Sequence, residues 1–477
     1  MNMKEYDLIV IGSGSGMNYV SLIIQQYPEM KIAVIDKDKP GGICLTRGCI
    51  PSKMLLYPAE LVREIGKANR FGIDAEIKSI DFKFVMERMR SSIDKDIEMI
   101  HHGLSSDPNL DYYEHVAKFV EPYVLEIGEE LITSKMIFLS IGSKPMIPPV
   151  KGLDDISYLT SDTVLELTTL PKSLAIIGGG YIAAEYGHFF SAMGSKVTII
   201  GRSPRIVDNE EPEISELARK KMARYVDIIT DHEVSEIHPS GRQKKIVAKD
   251  RNSENEMEIL VDEVLVATGR SPNTDILHPE KGGIETDERG WIKVNDHLET
   301  TCSNVWAFGD ANGQYLFKHV GNYESTLVYE NAILNEGIKI DYNAVPYAIF
   351  SYPEIAGVGI GESAAIEQYG EDNISIGFHR FEDTGKGMAM GLDSYFVKVI
   401  LGDSGNTLLG AHIIGPQASI LIHQLITLMN TPGSNVGPVV NGMDIHPSLS
   451  EVVKRALYSR MSVEEYHSVL KSLELEY

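Results

Sequence analysis

The 477-residue sequence has few cysteines, fewer basic than acidic residues, and no long apolar run. Only three cysteines are present, which excludes a disulfide-stapled secreted scaffold and favours a reducing compartment, where a disulfide is usually catalytic. The 68 acidic residues outnumber the 44 basic ones, and the formal charge of −24 disfavours binding to nucleic acid or to an anionic membrane surface. No apolar run is long enough to span a bilayer.

The length and the opening residues indicate a multidomain cytoplasmic protein. A chain of this size predicts about two to four domains with sizeable cores. The opening stretch MNMKEYDLIVIGSGSG leads directly into an apolar strand and lacks the layout of a signal peptide. We therefore expect a cytoplasmic protein whose partner is a small molecule.

Two of the three cysteines, Cys44 and Cys49, stand five positions apart in the stretch GGICLTRGCIPSK (41–53). Structural zinc usually takes four ligands in closer pairs, and Cys302 has no partner, so the sequence predicts no metal site. A thiol/disulfide couple remains. In a regular helix the two side chains would diverge by about 140°, so we expect Gly48 to let the backbone turn until the sulfurs meet.

The residues after Cys49 have the pattern of a helix that begins near Pro51, since proline is favoured in a first helical turn. Cys49 would then lie at a helix N-terminus, where the dipole favours a thiolate. The simplest alternative is that both cysteines are small buried apolar residues.

A strand, a glycine cluster and a helix occur twice, as YDLIVIGSGSGMNYVSLII and as SLAIIGGGYIAAEYGHFFSAMG. Such glycines let the backbone N–H groups of a helix N-terminus approach a pyrophosphate. Each unit leads to a second strand, in KIAVIDKD and in SKVTIIGRS, so the sequence predicts two dinucleotide sites. The glycines are Gly12, Gly14 and Gly16 in the first unit, and Gly178 and Gly180 in the second. Met17 and Ala183 take the usual third places, and Met17 predicts a first helix slightly farther from its strand.

The strand ends indicate which two dinucleotides are bound. Asp36 ends the second strand of the first unit, where an acid accepts from ribose hydroxyls, although a solvated loop aspartate would look the same. Later, VWAFGD ends in Gly309 and Asp310 and resembles the motif with which flavin reductases bind the ribitol chain of FAD. The first nucleotide is therefore predicted to be FAD and the second a nicotinamide coenzyme.

The sequence resembles the FAD-dependent pyridine nucleotide–disulfide oxidoreductases over nearly its whole length, and within them dihydrolipoamide dehydrogenases and mycothione reductases. The motifs that carry the resemblance are GGICLTRGCIPSK, IIGGGYIAAE, VLVATGRSPNT, WAFGD and DIHPSLSE. The resemblance implies an α/β fold with two Rossmann-like domains and a C-terminal α+β dimerisation domain. The implied boundaries are 1–151 with 271–345 for FAD, 152–270 for NAD(P) and 346–477 for dimerisation.

The resemblance also implies roles for residues around the cysteines. Cys49 would be the thiol beside the flavin, and Cys44 the interchange thiol that meets the substrate. Lys53 would lie under the flavin and pair with Glu185, while Tyr181 would cover the nicotinamide side of the flavin. The remaining implied backbone positions are Gly42 and Gly142 for FAD, and Gly269 for NAD(P).

Near the C-terminus, DIHPSLSE offers His446 with Glu451 close by. Histidine titrates near neutral pH and suits the proton exchange that a thiol needs. The alternative is a capping box, in which Ser448 and Glu451 only begin a helix. By resemblance, His446 is the acid/base and Glu451 orients it, and both reach the disulfide from the other subunit of a homodimer.

The sequence identifies the coenzyme and the substrate less clearly than it identifies the family. Gly201 stands where NAD-dependent relatives carry an acid, and Arg202 and Arg205 follow, which favours NADPH over NADH because arginine binds a 2′-phosphate. Asp208, however, occupies the place of the usual second arginine. Dihydrolipoamide dehydrogenase is our first prediction, and a reductase of a low-molecular-weight disulfide, such as a mycothione reductase, is the alternative.

Two other functions agree less well with the sequence. Mercuric reductase is disfavoured, because the end VLKSLELEY has no cysteine pair. A non-catalytic NAD(P)-sensing protein would have little need of two cysteines next to Lys53.

Overall fold

The structure is a computed structural model that describes residues 3–402 and 405–475. Its strands form two parallel sheets, each behind one glycine loop, and a large antiparallel sheet near the C-terminus, with smaller sheets attached. The described α-helices are Val20–Gln26, Gly42–Thr46, Cys49–Lys67, Phe82–Ser106, Tyr181–Met193, Pro212–Met222, Thr274–Leu277, Lys318–Ala332, Glu362–Tyr369, Gly385–Ala389, Ala418–Leu421, His423–Met429, Gly437–Val440, Glu451–Tyr458 and Val463–Ser472.

The first parallel sheet carries the first glycine loop. Its strands, in spatial order, are Val305–Ala307, Ile137–Leu139, Leu8–Ile11, Ile32–Ile35 and Leu110–Tyr113. The first four of these strands are short apolar runs buried on both faces, as expected for parallel strands, whereas the edge strand Leu110–Tyr113 is only partly buried. The edge strand at 305–307 comes far later in the chain than its neighbours, so this sheet is assembled from two separate segments. A small sheet packs nearby, with strands Lys4–Tyr6, Glu130–Ser134, Val124–Ile127 and Ala117–Glu121.

The second parallel sheet lies between those segments in sequence. Its strands, in spatial order, are Asp227–Ile229, Lys196–Ile200, Ser173–Ile177 and Glu263–Val266. An antiparallel sheet of His232–Ser240, Gln243–Asp250 and Glu256–Val261 is attached to it. The chain enters and leaves this part through Ser143–Pro145 and Arg270–Pro272, which pair with each other as antiparallel strands.

The C-terminal part is built on a six-stranded antiparallel sheet. Its strands, in spatial order, are Pro346–Ile349, Ile355–Gly359, Thr407–Ile414, Phe396–Gly402, Ser375–Arg380 and Arg460–Met461. The predicted fold class, α/β with two Rossmann-like units followed by an α+β unit, is confirmed. The residue boundaries of the three domains stay a prediction.

A buried ionic cluster joins the second and third parts. Lys398, on a central strand of the C-terminal sheet, donates to Glu211, to Glu213 at 2.6 Å and to Glu362 at 2.7 Å. Glu213 belongs to the helix Pro212–Met222, so the cluster fixes this helix against the C-terminal sheet. A buried lysine is tolerated because the carboxylates compensate its charge.

None of the helices within the described ranges is both long and apolar enough to cross a membrane.

Candidate functional site

All three parts of the fold line one cavity of about 1310 Å³. Most residues predicted from the sequence line it, and they come from segments up to about 300 residues apart. These residues are Gly12, Gly14, Asp36, Gly42, Cys44, Cys49, Lys53, Gly142, Gly178, Gly180, Tyr181, Glu185, Arg202, Arg205, Gly269, Gly309 and Asp310. Three other predicted residues, Gly16, His446 and Glu451, are not part of the described cavity wall.

The first glycine loop is shaped so that side chains would not fit. Gly12 has a φ of +101°, and a Cβ there would overlap the carbonyl oxygen of Ser140. Gly42 has a φ of +69°, and its Cβ would come within 2.5 Å of the Cα of Gly14. Gly16 packs against Val10 and Ser140, so it makes the close approach that a glycine at the third motif position usually makes.

The first helix also starts later than the second. Residues 15–17 form a 3-10 turn, and the α-helix begins only at Val20, because serine, glycine and asparagine are poor helix formers. In the second unit Gly180 immediately precedes the helix, and Tyr181 is its first residue.

The second glycine loop repeats the construction of the first. Gly178 has a φ of +124°, and a Cβ there would overlap the carbonyl oxygen of Ala267, just as Gly12 approaches Ser140. In both units a parallel strand ends against the first glycine, and the glycines that follow line the cavity. The structure thus forms two cradles of the kind that accept a dinucleotide pyrophosphate.

Two aspartates lie at the strand ends of the first cradle. Asp36 accepts from the backbone N–H of Ser13 at 2.8 Å and of Asp38 at 3.0 Å, which holds its carboxylate at the cavity edge. Asp310 accepts from the hydroxyl of Ser143, and Arg270 lies 3.8 Å from it. A glycine-lined cradle flanked by two oriented carboxylates fits FAD, whose ribose and ribitol hydroxyls are donors.

Cys49 is the first residue of the helix Cys49–Lys67, which begins two residues earlier than predicted, and Cys44 lies in the preceding short helix Gly42–Thr46. The Cys44 and Cys49 thiols hydrogen-bond to each other, so the turn at Gly48 does bring the sulfurs together. Gly48 has a φ of −131°, which other residues also adopt. It is needed because a Cβ would come within 2.8 Å of the Ile43 carbonyl oxygen.

The two thiols differ in acidity. The hydrogen bond from Cys44 lowers the pKa of Cys49 to about 7, with help from the positive charge of Lys53 and against the effect of burial. The same hydrogen bond, together with burial, raises the pKa of Cys44. In the reduced pair the thiolate therefore resides on Cys49, at the helix N-terminus, where the helix dipole also favours it.

Lys53 and Glu185 form an ion pair on the cavity wall next to Cys49. The Lys53 ammonium donates to both carboxylate oxygens, at 2.8 and 2.9 Å. The backbone N–H of Phe350 donates to the same carboxylate at 3.0 Å, and the ammonium lies 4.6 Å from the centre of the Phe350 ring. Lys53 is thus fixed by residues from all three parts of the fold.

The end of the second strand in the second unit is positively charged. Gly201 lies at that end, Arg202 is exposed beside it, and the backbone carbonyl of Arg202 accepts from Arg251 at 2.8 Å. Arg205 lies 3.6 Å from Asp208, so the acid in place of the usual second arginine partly neutralises it. The cavity edge here carries arginines, which can bind a 2′-phosphate, and Gly201 in place of an acid, which would repel it.

His446 and Glu451 form a hydrogen-bonded pair of 2.8 Å between Nδ1 and Oε1. A carboxylate only accepts, so Nδ1 carries the proton and Nε2 is left to exchange protons with another group. Glu451 is buried, and its pKa is held below the usual range, because bonds from His446 and the Ser448 N–H outweigh the effect of burial. Glu451 is also the first residue of the helix Glu451–Tyr458, but the N-cap is Ser450 and makes no side-chain capping bond, so the capping box that begins at Ser448 is not formed.

The His446 ring is 72% exposed. It lies outside the described wall of the cavity that Cys44 and Cys49 line.

Some residues at the site were not found from the sequence. Lys318 lines the cavity and is close enough to both cysteines to influence their charge. In the sequence Lys318 stands in the stretch LFKHVGNYE, which belongs to no nucleotide-binding motif and therefore did not indicate a role for the lysine. Phe350 had no local signal, because its partners at the site are far away in the sequence. Arg270 belongs to the motif VLVATGRSPNT, but its contact with Asp310 was not predicted.

Comparison with known families and proteins agrees with this geometry. Residues 6–343 match the model of the pyridine nucleotide-disulphide oxidoreductase family, and residues 345–457 match the dimerisation domain of the same family. A mycothione reductase from Mycobacterium tuberculosis is 35% identical over 468 residues, covering 95% of this chain and 99% of the relative. A dihydrolipoyl dehydrogenase from Chlamydia trachomatis is 33% identical over 455 residues, covering 94% and 95%.

A solved structure extends the similarity to three dimensions. The HOCl-induced flavoprotein disulfide reductase RclA from Escherichia coli, described as a Cu(II) complex, has a TM-score of 0.84 and 26% identity, covering 96% of this chain and 99% of that one. The two relatives match this chain in sequence over 94–95% of its length, and the solved structure matches its fold over 96%. With two nucleotide cradles and a thiol pair on one cavity, the chain belongs to the FAD-dependent pyridine nucleotide-disulphide oxidoreductases.

Proposed function

We propose that the protein exchanges electrons between a nicotinamide coenzyme and lipoamide, through FAD and the Cys44–Cys49 pair. The observation that carries this proposal is the pair itself: two hydrogen-bonded thiols of unlike acidity next to the Lys53–Glu185 ion pair on a dinucleotide cavity. Bound FAD supplies two-electron chemistry. Cys49 presents a thiolate to the flavin, and Cys44 exchanges with the substrate disulfide.

The lipoyl substrate is supported by the surroundings of His446. Met443 and Ile445, close before the histidine, are 101% and 82% exposed in the single chain. An apolar edge next to the proton-exchanging residue suits the aliphatic chain of a lipoyl group. The overall charge of −24 disfavours strongly anionic disulfides such as coenzyme A disulfide.

We further infer that the working protein is a C2 homodimer whose subunits share each active site. In this arrangement His446 of one chain exchanges protons with Cys44 of the other, and Glu451 keeps the ring in one tautomer. The match to a dimerisation domain and the exposure of His446 support this inference.

A second candidate is an NADPH-dependent reductase of a low-molecular-weight disulfide. The observation that favours it is the arginine-bearing edge at Gly201, because enzymes that oxidise dihydrolipoamide usually reduce NAD. The similarity to a mycothione reductase points the same way.

Anaerobic steady-state kinetics with both coenzymes test these candidates. The panel contains lipoamide, glutathione disulfide, coenzyme A disulfide and mycothiol disulfide, with Cu(II) added because RclA is described as its complex. We expect lipoamide to have the highest kcat/KM. A higher value for another disulfide would favour the second candidate, and colourless purified protein without turnover would favour a nucleotide sensor.

Coenzyme choice is predicted to favour NADPH, and a single residue tests it. A Cβ at Gly201 would lie 3.5 Å from the nearest atom, the Cα of Gly179, so the first side-chain atom of Gly201→Glu makes an ordinary contact. The new carboxylate should lower kcat/KM for NADPH about 10- to 100-fold, since it repels the 2′-phosphate and competes for Arg202. Lys339→Gln, at an exposed lysine, is the control. A wild-type protein with a tenfold preference for NADH would contradict the prediction.

A further inference from the structure

Lys318 is a cavity residue with no role in the nucleotide motifs. It is the first residue of the helix Lys318–Ala332, and it lines the same cavity as Cys44 and Cys49. Its ammonium donates to the hydroxyl of Ser15, in the first glycine loop, at 3.0 Å. This contact anchors the side chain between two segments that are about 300 residues apart in the sequence.

The charge of Lys318 is poorly compensated. The side chain is half-buried, and none of the carboxylates in residues 3–402 and 405–475 forms an ion pair with it. Burial lowers the pKa of Lys318, while the negative charge available on Cys44 and Cys49 acts to raise it. Lys53 differs, because Glu185 already neutralises it. A desolvated cation without a carboxylate is costly unless an anion forms next to it.

The charged groups around the two thiols affect the acidity of Cys44 and of Cys49 differently. Lys53 acts on Cys49 and favours its thiolate, while Glu185 opposes this. Lys318 acts on Cys44 and favours a thiolate there, against burial and the hydrogen bond to Cys49. Tyr181 is neutral and also feels the charge of Cys49. Lys318 is thus the cation that acts on Cys44, although it also interacts with Cys49.

We propose that Lys318 is a positioning residue that stabilises negative charge on Cys44 while this sulfur attacks a disulfide. The inference rests on the function proposed above. There, His446 of the other chain exchanges protons with Cys44, and Lys318 adds a positive charge from the same chain as Cys44. Charge on Cys44 is required whenever this sulfur attacks a disulfide, since the thiolate is the nucleophile. Lys318 stabilises it without taking up or releasing a proton.

Alkylation of the reduced holoprotein tests the proposal at each sulfur separately. Iodoacetamide is applied over a range of pH, and trypsin, which cleaves after Arg47, places Cys44 and Cys49 on different peptides for mass spectrometry. Lys318→Gln removes the charge, Lys318→Arg keeps it, and Lys339→Gln makes the same charge change at an exposed site. FAD content is measured for every variant.

In Lys318→Gln we expect the pH at which Cys44 is alkylated at half its maximal rate, the alkylation midpoint, to rise by about one unit, because the variant loses a nearby opposite charge. Lys318→Arg and Lys339→Gln should keep the wild-type midpoint. An unchanged midpoint in Lys318→Gln would overturn the role of Lys318, and so would loss of FAD from that variant, which would make Lys318 a cofactor ligand. If neither wild-type thiol reacted faster than an ordinary cysteine, the proposed thiol-pair function itself would fail.

Discussion

Replacement of Cys44 by serine should reduce disulfide turnover on the order of 10³-fold or more, because a hydroxyl cannot replace the attacking sulfur. The same variant should keep its FAD and, after reduction, the long-wavelength absorption of the Cys49 thiolate next to the flavin. Cys49→Ser should lose that absorption completely. Anaerobic spectra and turnover with lipoamide measure both effects.

Cys302 provides the matched control for these substitutions. It lies outside the described cavity wall, where its backbone N–H donates to the Thr300 hydroxyl at 3.2 Å. Cys302→Ser should therefore turn over at nearly the wild-type rate. Wild-type turnover in Cys44→Ser would show that Cys44 is not the interchange thiol.

Mixing two inactive variants should restore activity if the subunits share their sites. His446→Gln and Cys44→Ser chains are unfolded and refolded together, and random pairing makes about half of the dimers mixed. Each mixed dimer contains one site with both Cys44 and His446 intact, so about a quarter of wild-type activity is expected. Turnover and the fraction of mixed dimers are measured on the same sample.

A double variant controls for nonspecific effects of refolding. His446→Gln chains refolded with chains that carry both His446→Gln and Cys44→Ser contain no His446, so they should stay inactive. If confirmed mixed dimers of the two single variants were also inactive, the shared site would be refuted.

The two nucleotide cradles could be predicted because each is encoded locally. A β-branched run, a glycine cluster and a helix occupy about twenty residues, so the pattern can be read in one short window. The atoms that exclude a side chain at Gly12 and Gly178, in Ser140 and Ala267, nevertheless come from distant segments. The pairing of Lys53 with Glu185 came from family resemblance, since neither residue has a local pattern that indicates the other.

Contacts between distant segments could not be predicted. The bond from Lys318 to Ser15 and the bond from Phe350 to Glu185 depend on how whole domains pack, which one sequence does not encode in any short window. Gly48 shows a subtler limit. The predicted turn at Gly48 is present. A glycine is needed there because a Cβ would crowd the carbonyl oxygen of Ile43, and not because the φ of the turn is restricted to glycine.

The paired strands Ser143–Pro145 and Arg270–Pro272 make the nucleotide-binding insert a module with neighbouring ends, the arrangement that lets domains be exchanged between related genes. Lys398 restricts that exchange. An insert without carboxylates at Glu211 and Glu213 would leave this buried lysine with Glu362 alone, at a cost of about 3–5 kcal/mol. Coenzyme specificity can therefore move between such enzymes as a unit only when the incoming module brings both acids with it.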